Sequence, residues 1–123
     1  MKKISTNKAP KAIGPYSQAV IIEPFLFASG QIPVNPSTGC VVEGDITVQA
    51  VQVMENIKAV LEEAGYCFED VVKTTCFLKD MKDFAAFNEV YGKYFTGCPA
   101  RSCVAVREIP KDVLCEVEIT AYK

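Results

Sequence analysis

Arginine and glutamate are the residue types in this chain that are best placed to do chemistry. Arg101 heads a strand predicted by the alternating valines of PARSCVAV, residues 99–106. Its guanidinium is permanently charged and binds a carboxylate through two parallel hydrogen bonds. Glu116 and Glu118 share one face of the last predicted strand. Periodicity alone favours a solvated edge or a surface salt bridge there, whereas mixed Val, Cys and Glu on one sheet face are typical of a subunit interface.

The composition limits which catalytic chemistry is available, because the chain contains no histidine. Ser-His-Asp and Cys-His activation of a nucleophile are therefore excluded, as are most transition-metal sites. The usual acid–base pair of metal-independent ribonucleases is missing as well. Any chemistry must come from carboxylates, Arg, Lys, Tyr, Cys, backbone groups and water.

Three further segments carry candidate site residues, and each has a structural alternative. Ser29 and Gly30 interrupt a strand pattern, which indicates a bulge or a close backbone approach that frees N–H groups for a ligand. An ordinary strand-end glycine explains them equally well. Tyr16 follows the turn pair Gly14–Pro15 and belongs either to a site or to the core. Asn88, on a predicted helix, is either a ligand group or a surface amide.

The six cysteines do not form a recognisable metal or disulfide pattern. No pair has the CxxC spacing of a zinc knuckle or a thioredoxin-like motif. Half of the residues are hydrophobic, so a core does not require disulfides. We expect reduced thiols that pack as small hydrophobic side chains, and no metal. They are Cys40, Cys67, Cys76, Cys98, Cys103 and Cys115.

Hydrophobic periodicity and capping residues predict five strands and two helices. Asp45 is a good N-cap for the first helix, which has apolar residues at steps of three and four and ends at Gly65. The second helix opens at Asp80 or Lys82 and turns Phe84, Phe87, Tyr91 and Tyr94 inward. The predicted strands are Ser17–Ile22, Phe25–Gln31, Val71–Leu78, Ser102–Arg107 and Leu114–Tyr122.

This ββαβαββ order predicts an α+β fold, a mixed sheet with both helices on one face. The other face then lacks a cover of its own. We expect that face to bear Cys103 and Glu116 and to be covered by a second subunit.

Length and charge narrow the class of protein further. The chain of 123 residues fits one domain, residues 1–123, and its net charge of −2 offers no basic field for nucleic acid. The start, MKKISTNKAPK, has no apolar run behind its lysines, so we expect no signal peptide. No apolar stretch is long enough to span a membrane. We therefore expect a cytoplasmic protein that binds neither membrane nor nucleic acid.

Three segments together resemble the RidA/YjgF family of imine deaminases. They are AIGPYSQA, SGQIPVNPSTG and PARSCVAVREIPKD followed by EVEITA, and NEVYGKYF also fits. The resemblance covers the chain from about Thr6 to Tyr122. It implies a chorismate-mutase-like fold, a homotrimer with ligand clefts between subunits, and hydrolysis of 2-iminopropanoate and 2-iminobutanoate to 2-oxo acids and ammonia. These imines arise from enamines such as 2-aminoacrylate, released by pyridoxal-phosphate enzymes. No cofactor or metal takes part.

The resemblance also implies the site residues. The family's binding arginine falls on Arg101 and its water-positioning glutamate on Glu116. The remaining ligand groups fall on Tyr16, Ser29, Gly30, Asn88 and Cys103.

The sequence departs from the family pattern at two places. Cys115 replaces the usual aliphatic residue before the glutamate, which leaves Glu118 as an alternative for that role. The second departure is the segment AVRE, which stands where the family more often has Glu, Val, Ala and Arg. It includes no expected ligand group.

Two other functions compete with imine hydrolysis. One is a non-catalytic module that binds or senses a small ligand in the same cleft, because a fold does not fix an activity. The other is an endoribonuclease or translation inhibitor, against which the acidic pI of about 5.2 and the missing histidine argue.

Overall fold

One six-stranded sheet carries both helices of the chain. The computed structural model describes residues 1–123. The strands are β1 (Lys2–Ile4), β2 (Ala19–Ile22), β3 (Phe25–Gln31), β4 (Val71–Leu78), β5 (Ala100–Ala105) and β6 (Cys115–Tyr122), and the helices are α1 (Ile46–Ala64) and α2 (Phe84–Tyr94). The sheet order is β1-β2-β3-β6-β4-β5, in which β4 and β5 are parallel and all other neighbours antiparallel. The predicted α+β class with a mixed sheet is confirmed.

Helix α1 begins and ends where its capping residues predict. The Val48 N–H donates to Asp45 Oδ1 at 3.1 Å, which satisfies one of the free amides of the first turn. Gly65 adopts a left-handed conformation with φ of 80°, and its N–H donates to the end of the helix. The apolar stripe of α1 is buried against the sheet and α2, so this helix supplies much of the core.

Helix α2 starts later than predicted. The Asp80 side chain accepts from the Lys82 N–H at 2.8 Å and caps a short 3-10 turn, Met81–Asp83, rather than the helix itself. Helix α2 follows from Phe84, with Phe87 and Tyr91 buried as expected. Neither helix is long and apolar enough to cross a membrane.

Strand β1 was not predicted from the sequence. Its three residues include two lysines, so they show no apolar alternation, and they pair with β2 through tertiary contact. Strand β2 begins at Ala19 rather than Ser17, because the Ser17 carbonyl accepts from Ser29 Oγ instead of joining the ladder.

Strand β5 is displaced towards the N-terminus from its predicted bounds. It runs from Ala100 to Ala105, so Arg101 lies within the strand rather than in the loop that precedes it. Residue Arg101 stands opposite Thr74 of β4, which is buried. The strand therefore fixes the direction of the arginine side chain.

The two faces of the sheet differ in their cover. The helix face carries the buried Cys76 and Val117, and the opposite, open face carries exposed apolar side chains. Cys103 pairs with Cys76 and so belongs to the helix face, whereas Glu116 pairs with Phe77 on the open face. The expectation that Cys103 and Glu116 share a face is therefore wrong. Alternation along one strand does not give the register between two strands.

Candidate functional site

Arg101 is held on the helix face by residues of α2. Its Nη1 donates to Asn88 Oδ1 at 2.7 Å. Its guanidinium carbon lies 4.6 Å from the centroid of the Tyr91 ring and 5.5 Å from that of Phe84. Cation–π contacts of this kind favour a planar guanidinium lying over the rings. The arginine is thus oriented before any ligand binds.

The platform under Arg101 is itself fixed by a buried hydrogen bond. The hydroxyls of Tyr91 and Thr74 are 2.7 Å apart, and both residues are buried. Burial raises the pKa of Tyr91, so its hydroxyl stays protonated near neutral pH. Sequence reasoning assigned Phe84 and Tyr91 to the core alone. Their helical spacing with Asn88 places all three residues on one face of α2, so the sequence contained a signal that they contact one common side chain.

Cys103 lies two positions from Arg101 on the same face of β5. It is half-buried, and burial raises the pKa of its thiol while the neighbouring Arg101 acts in the opposite direction. A protonated thiol is a weak nucleophile. Asn88, Arg101 and Cys103 form what we call the arginine group.

An open groove of about 500 Å³ runs beside the arginine group. It is lined by residues of α2 and of the turn before β5, among them Asn88, Cys98, Pro99 and Arg101. Arg101 has no carboxylate partner, since the only ion pair in the structure joins Lys79 and Asp112. Its remaining N–H groups are therefore available to bind an anion.

Glu116 lies on the open face beside a bulge in β3. The register between β3 and β6 shifts between Ala28 and Gln31, which confirms the bulge expected at Ser29–Gly30. A Cβ atom at Gly30 would lie 2.9 Å from Glu116 Cδ and would overlap Oε1. Only glycine lets the half-buried carboxyl group occupy this position. We call Ser29, Gly30 and Glu116 the glutamate group.

The electrostatic environment of Glu116 suits a base. Burial raises the pKa of Glu116, and the neighbouring Glu118 raises it further. No cation pairs with the carboxylate. A carboxyl group with a raised pKa accepts a proton from water more readily than an exposed one.

Ser29 has a structural task in the chain. Its hydroxyl donates to the Ser17 carbonyl at 2.6 Å, and its N–H donates to the Gln18 carbonyl at 2.9 Å. The expected free N–H is therefore occupied at Ser29. Both bonds fix the bulge against the segment that leads into β2.

Tyr16 is exposed rather than part of the core. Its side chain is 53% accessible, and its N–H donates to the Gly14 carbonyl at 2.9 Å in the turn before β2. Tyr16 and Gly30 line a common cavity of about 260 Å³. The structure thus brings Tyr16 together with the glutamate group.

The arginine and glutamate groups do not meet within one chain. Arg101 and Cys103 point to the helix face, whereas Glu116 points to the open face. Each group alone lacks one part of a hydrolytic site: the first can bind an anion, and the second can activate water.

The other cysteines have mixed environments. Cys76 and Cys115 are buried in the core, and burial raises the pKa of each thiol to about 12. Cys40, Cys67 and Cys98 are exposed, so the expectation of small packed side chains does not hold for these three. All six thiols are free in the structure, and no three metal-ligating side chains cluster.

Comparison with known proteins gives consistent matches over the whole chain. A family model described as endoribonuclease L-PSP matches residues 6–123. A RutC family protein of Pyrococcus horikoshii is 59% identical over 121 residues, which are 98% of this chain and 96% of that protein. A 2-iminobutanoate/2-iminopropanoate deaminase of Salmonella typhimurium is 50% identical over 126 residues, 99% of this chain and 98% of that protein. The crystal structure of Escherichia coli TdcF with bound serine superposes with a TM-score of 0.95 at 45% identity and covers 100% of this chain and 99% of that one.

Proposed function

This chain belongs to the RidA/YjgF family, whose family model is described as endoribonuclease L-PSP, and we propose that it hydrolyses 2-imino acids to 2-oxo acids and ammonia. The substrates are small imines such as 2-iminopropanoate and 2-iminobutanoate. The observation that carries the proposal is the oriented Arg101, which has free N–H groups and no carboxylate partner. A relative that is 50% identical to this chain is named for the same reaction.

Arg101 binds the substrate carboxylate in this mechanism. Two parallel N–H donors fix the plane of the carboxylate and hence the direction of the imine carbon. Asn88 and the ring of Tyr91 hold the guanidinium, so little freedom is lost on binding. The serine bound to TdcF carries a carboxylate of the same kind, which supports a site for a small amino-acid-like ligand.

Glu116 activates the water that attacks the imine carbon. The carboxylate takes a proton from water as the C–O bond forms and passes it to the imine nitrogen, which gives a tetrahedral amino alcohol. The carboxylate then takes the proton of the new hydroxyl group and delivers it to the amine nitrogen as the C–N bond breaks, so that ammonia leaves and a 2-oxo acid remains. An imine is already an electrophile, so this modest acid–base assistance suffices without histidine, metal or cofactor.

A complete site in this proposal requires two copies of the chain. The arginine and glutamate groups face opposite sides of the sheet, so one subunit supplies Arg101 and its neighbour supplies Glu116. The open face supports such an assembly because it exposes Phe25, Phe27 and Tyr122 together, with Phe25 and Tyr122 ring centroids 5.2 Å apart. We propose a homotrimer with three equivalent clefts.

A coupled assay tests the activity. A serine dehydratase releases 2-aminoacrylate, which becomes 2-iminopropanoate, and pyruvate formation is followed in a buffer without free amines. We expect catalytic amounts of this protein to speed pyruvate release and Arg101→Ala to remove the effect. An unchanged rate with the intact protein overturns imine hydrolysis.

A ligand-binding module is the second candidate, and the serine bound to TdcF favours it. Titration calorimetry with serine and pyruvate separates the two. Binding that depends on Arg101, in a protein that does not accelerate hydrolysis, identifies the binding module.

A further inference from the structure

A cavity next to the glutamate group has features that the hydrolysis of small imines does not use. It measures about 260 Å³ and lies between the segment that leads into β2, the end of β3 and two loops. Its lining includes Lys11, Tyr16, Gly30, Gln31 and Lys111. We call it the lysine cavity.

The lysine cavity is lined by cationic residues and by no anionic one. The cationic residues are Lys11 and Lys111. Asp112 follows Lys111 in the chain, but its carboxylate pairs with Lys79, Nζ to Oδ1 at 3.0 Å, outside the cavity. Both cavity lysines are therefore without an ion-pair partner, and the cavity favours an anionic ligand.

A buried amide in the lining also lacks a good partner. Gln31 is 6% exposed, and the one hydrogen bond of its side chain is a long one of 3.4 Å from Nε2 to the Ser29 carbonyl. Gln18, which lines the same cavity, has its Oε1 bonded to the Thr6 N–H at 2.7 Å and its Nε2 to the Pro10 carbonyl at 2.8 Å. Buried polar groups are normally paired. Gln31 is thus a polar group with capacity left for a ligand.

The backbone at Lys111 is held in an unfavourable conformation. Lys111 has φ of 60° and Asp112 has φ of 53°, two consecutive residues with side chains in the left-handed region. Such conformations persist when surrounding contacts fix them, and they occur often at binding sites. Here the Lys79–Asp112 pair and the turn anchored by Ile109 place Lys111 at the cavity.

The lysine cavity adjoins the glutamate group at Gly30. Gly30 lines the cavity and also lies against the Glu116 side chain. A ligand whose imine carbon lies at Glu116 therefore has the cavity beside it. The volume suits a short substituent rather than a large one.

We propose that the lysine cavity receives the acidic side chain of the substrate, so that this protein favours 2-imino dicarboxylic acids over neutral imines. The α-carboxylate binds Arg101, and the distal carboxylate of a four- or five-carbon acid binds Lys111, Lys11 and the Gln31 amide. This specificity rests on the proposed imine hydrolysis.

The test compares an acidic and a neutral imine on the same protein. An aspartate oxidase supplies 2-iminosuccinate, a serine dehydratase supplies 2-iminopropanoate, and ammonia release is measured for both. We expect the intact protein to favour 2-iminosuccinate in kcat/KM. Lys111→Met should lower the ratio of the two kcat/KM values by about tenfold, because a hydrogen-bonded charge is lost. Lys111→Arg should restore most of the ratio.

Two controls guard against an effect on folding. Lys111→Gly removes the charge and suits the left-handed backbone, so it should fold at least as well and lose the same preference. Lys82→Met, an exposed lysine in the turn before α2, should leave both rates unchanged. Equal kcat/KM values for the two imines in the intact protein, or a ratio that Lys111→Met and Lys111→Gly do not change, overturn the proposal.

A binding measurement separates this inference from the activity itself. If the protein accelerates the hydrolysis of neither imine, the proposed imine hydrolysis is wrong. Titration with 2-oxoglutarate and 2-oxobutanoate then shows whether the lysine cavity binds acidic ligands. Tighter binding of 2-oxoglutarate that Lys111→Met removes supports an acidic-ligand pocket. Equal affinities for the two acids overturn it.

Discussion

The environment of Arg101 explains why an arginine, and not any cation, stands at this position. Its guanidinium lies over Tyr91 and is fixed by Asn88, and both contacts depend on a flat, delocalised cation with several N–H groups. A lysine ammonium cannot stack in this way or hold a carboxylate by two parallel bonds. Arg101→Lys therefore keeps the positive charge but should lose the stacking and the two parallel hydrogen bonds.

Arg101→Lys tests this geometry. Arg101→Ala removes a charge-assisted pair in a partly desolvated site, which costs about 2–5 kcal/mol, so kcat/KM for 2-iminopropanoate should fall by roughly 30- to 4,000-fold. Arg101→Lys should recover little of this loss, because a point charge cannot reproduce two parallel hydrogen bonds. Pyruvate binding should weaken as well. Steady-state kinetics and calorimetry measure the two effects. Arg107→Lys, at an exposed arginine outside the site, is the matched control and should change neither. Full activity of Arg101→Lys contradicts bidentate binding.

Glu116→Gln separates the proposed catalytic role of Glu116 from its effect on stability. Burial and Glu118 raise the folded-state pKa of Glu116, so this residue contributes less stability as the pH rises through that pKa. The neutral amide escapes this loss, and the melting temperature at pH 7 should be equal or higher. The kcat should nevertheless fall by about 10²-fold with product affinity nearly intact. Thermal melts and kinetics check both outcomes.

Glu118→Gln is the control on the same strand face. It should leave most of the activity and move the acid limb of the pH profile to lower pH, because one cause of the raised Glu116 pKa is gone. If Glu118→Gln is inactive and Glu116→Gln turns over normally, the two roles are assigned the wrong way round.

The sequence was informative about residue types and less so about their neighbours. Arg101, Asn88 and Glu116 were candidates from type and position, and the structure shows Arg101 bonded to Asn88. The shared face of Cys103 and Glu116 was predicted wrongly, since register between strands depends on tertiary pairing. Lys111 gave no signal, because nothing in its neighbours indicates a left-handed backbone.

Among the elements, the β3 bulge determines where the Glu116 carboxyl group lies. Any other residue at position 30 would place its Cβ where the Glu116 carboxyl group lies, and Gly30 has no Cβ. The sequence left the bulge as one of two interpretations, because a glycine within a strand pattern indicates a bulge or close backbone approach and a strand-end glycine fitted equally well. Helix α1 was predictable, since local contacts at Asp45 and Gly65 define its ends. Strand β1 forms through its pairing with β2 and has no local signal.

Gly30→Ala should impair catalysis more than folding. The new Cβ lies 2.9 Å from Glu116 Cδ, so the flexible carboxyl end must move away. We expect a loss of about 1 kcal/mol in the free energy of unfolding and at least a tenfold drop in kcat. Urea unfolding and kinetics measure these. In a Glu116→Ala background the same change should have almost no further effect, and a persistent effect there contradicts a clash with Glu116.

For the whole molecule, the uncovered sheet face and the divided site have one explanation in common. Phe25, Phe27 and Tyr122 stay exposed in the single chain, and contiguous apolar surface of this kind marks an interface. In the proposed trimer, a second copy covers this face and brings an arginine group towards a glutamate group. Light scattering should therefore give about 40 kDa, three chains of 13.5 kDa, at micromolar concentration.

Mixed assemblies test whether each cleft is built from two copies. Arg101→Ala and Glu116→Gln chains should each be nearly inactive alone. If one subunit supplies Arg101 and its neighbour Glu116, co-refolding them in equal amounts creates some clefts with both intact residues. Random mixing makes this roughly a quarter of all clefts, so activity should recover to about a quarter of that of the intact protein. Refolding each variant alone is the control. No recovery in assemblies shown by mass spectrometry to be mixed means that Arg101 and Glu116 do not act in one cleft between subunits.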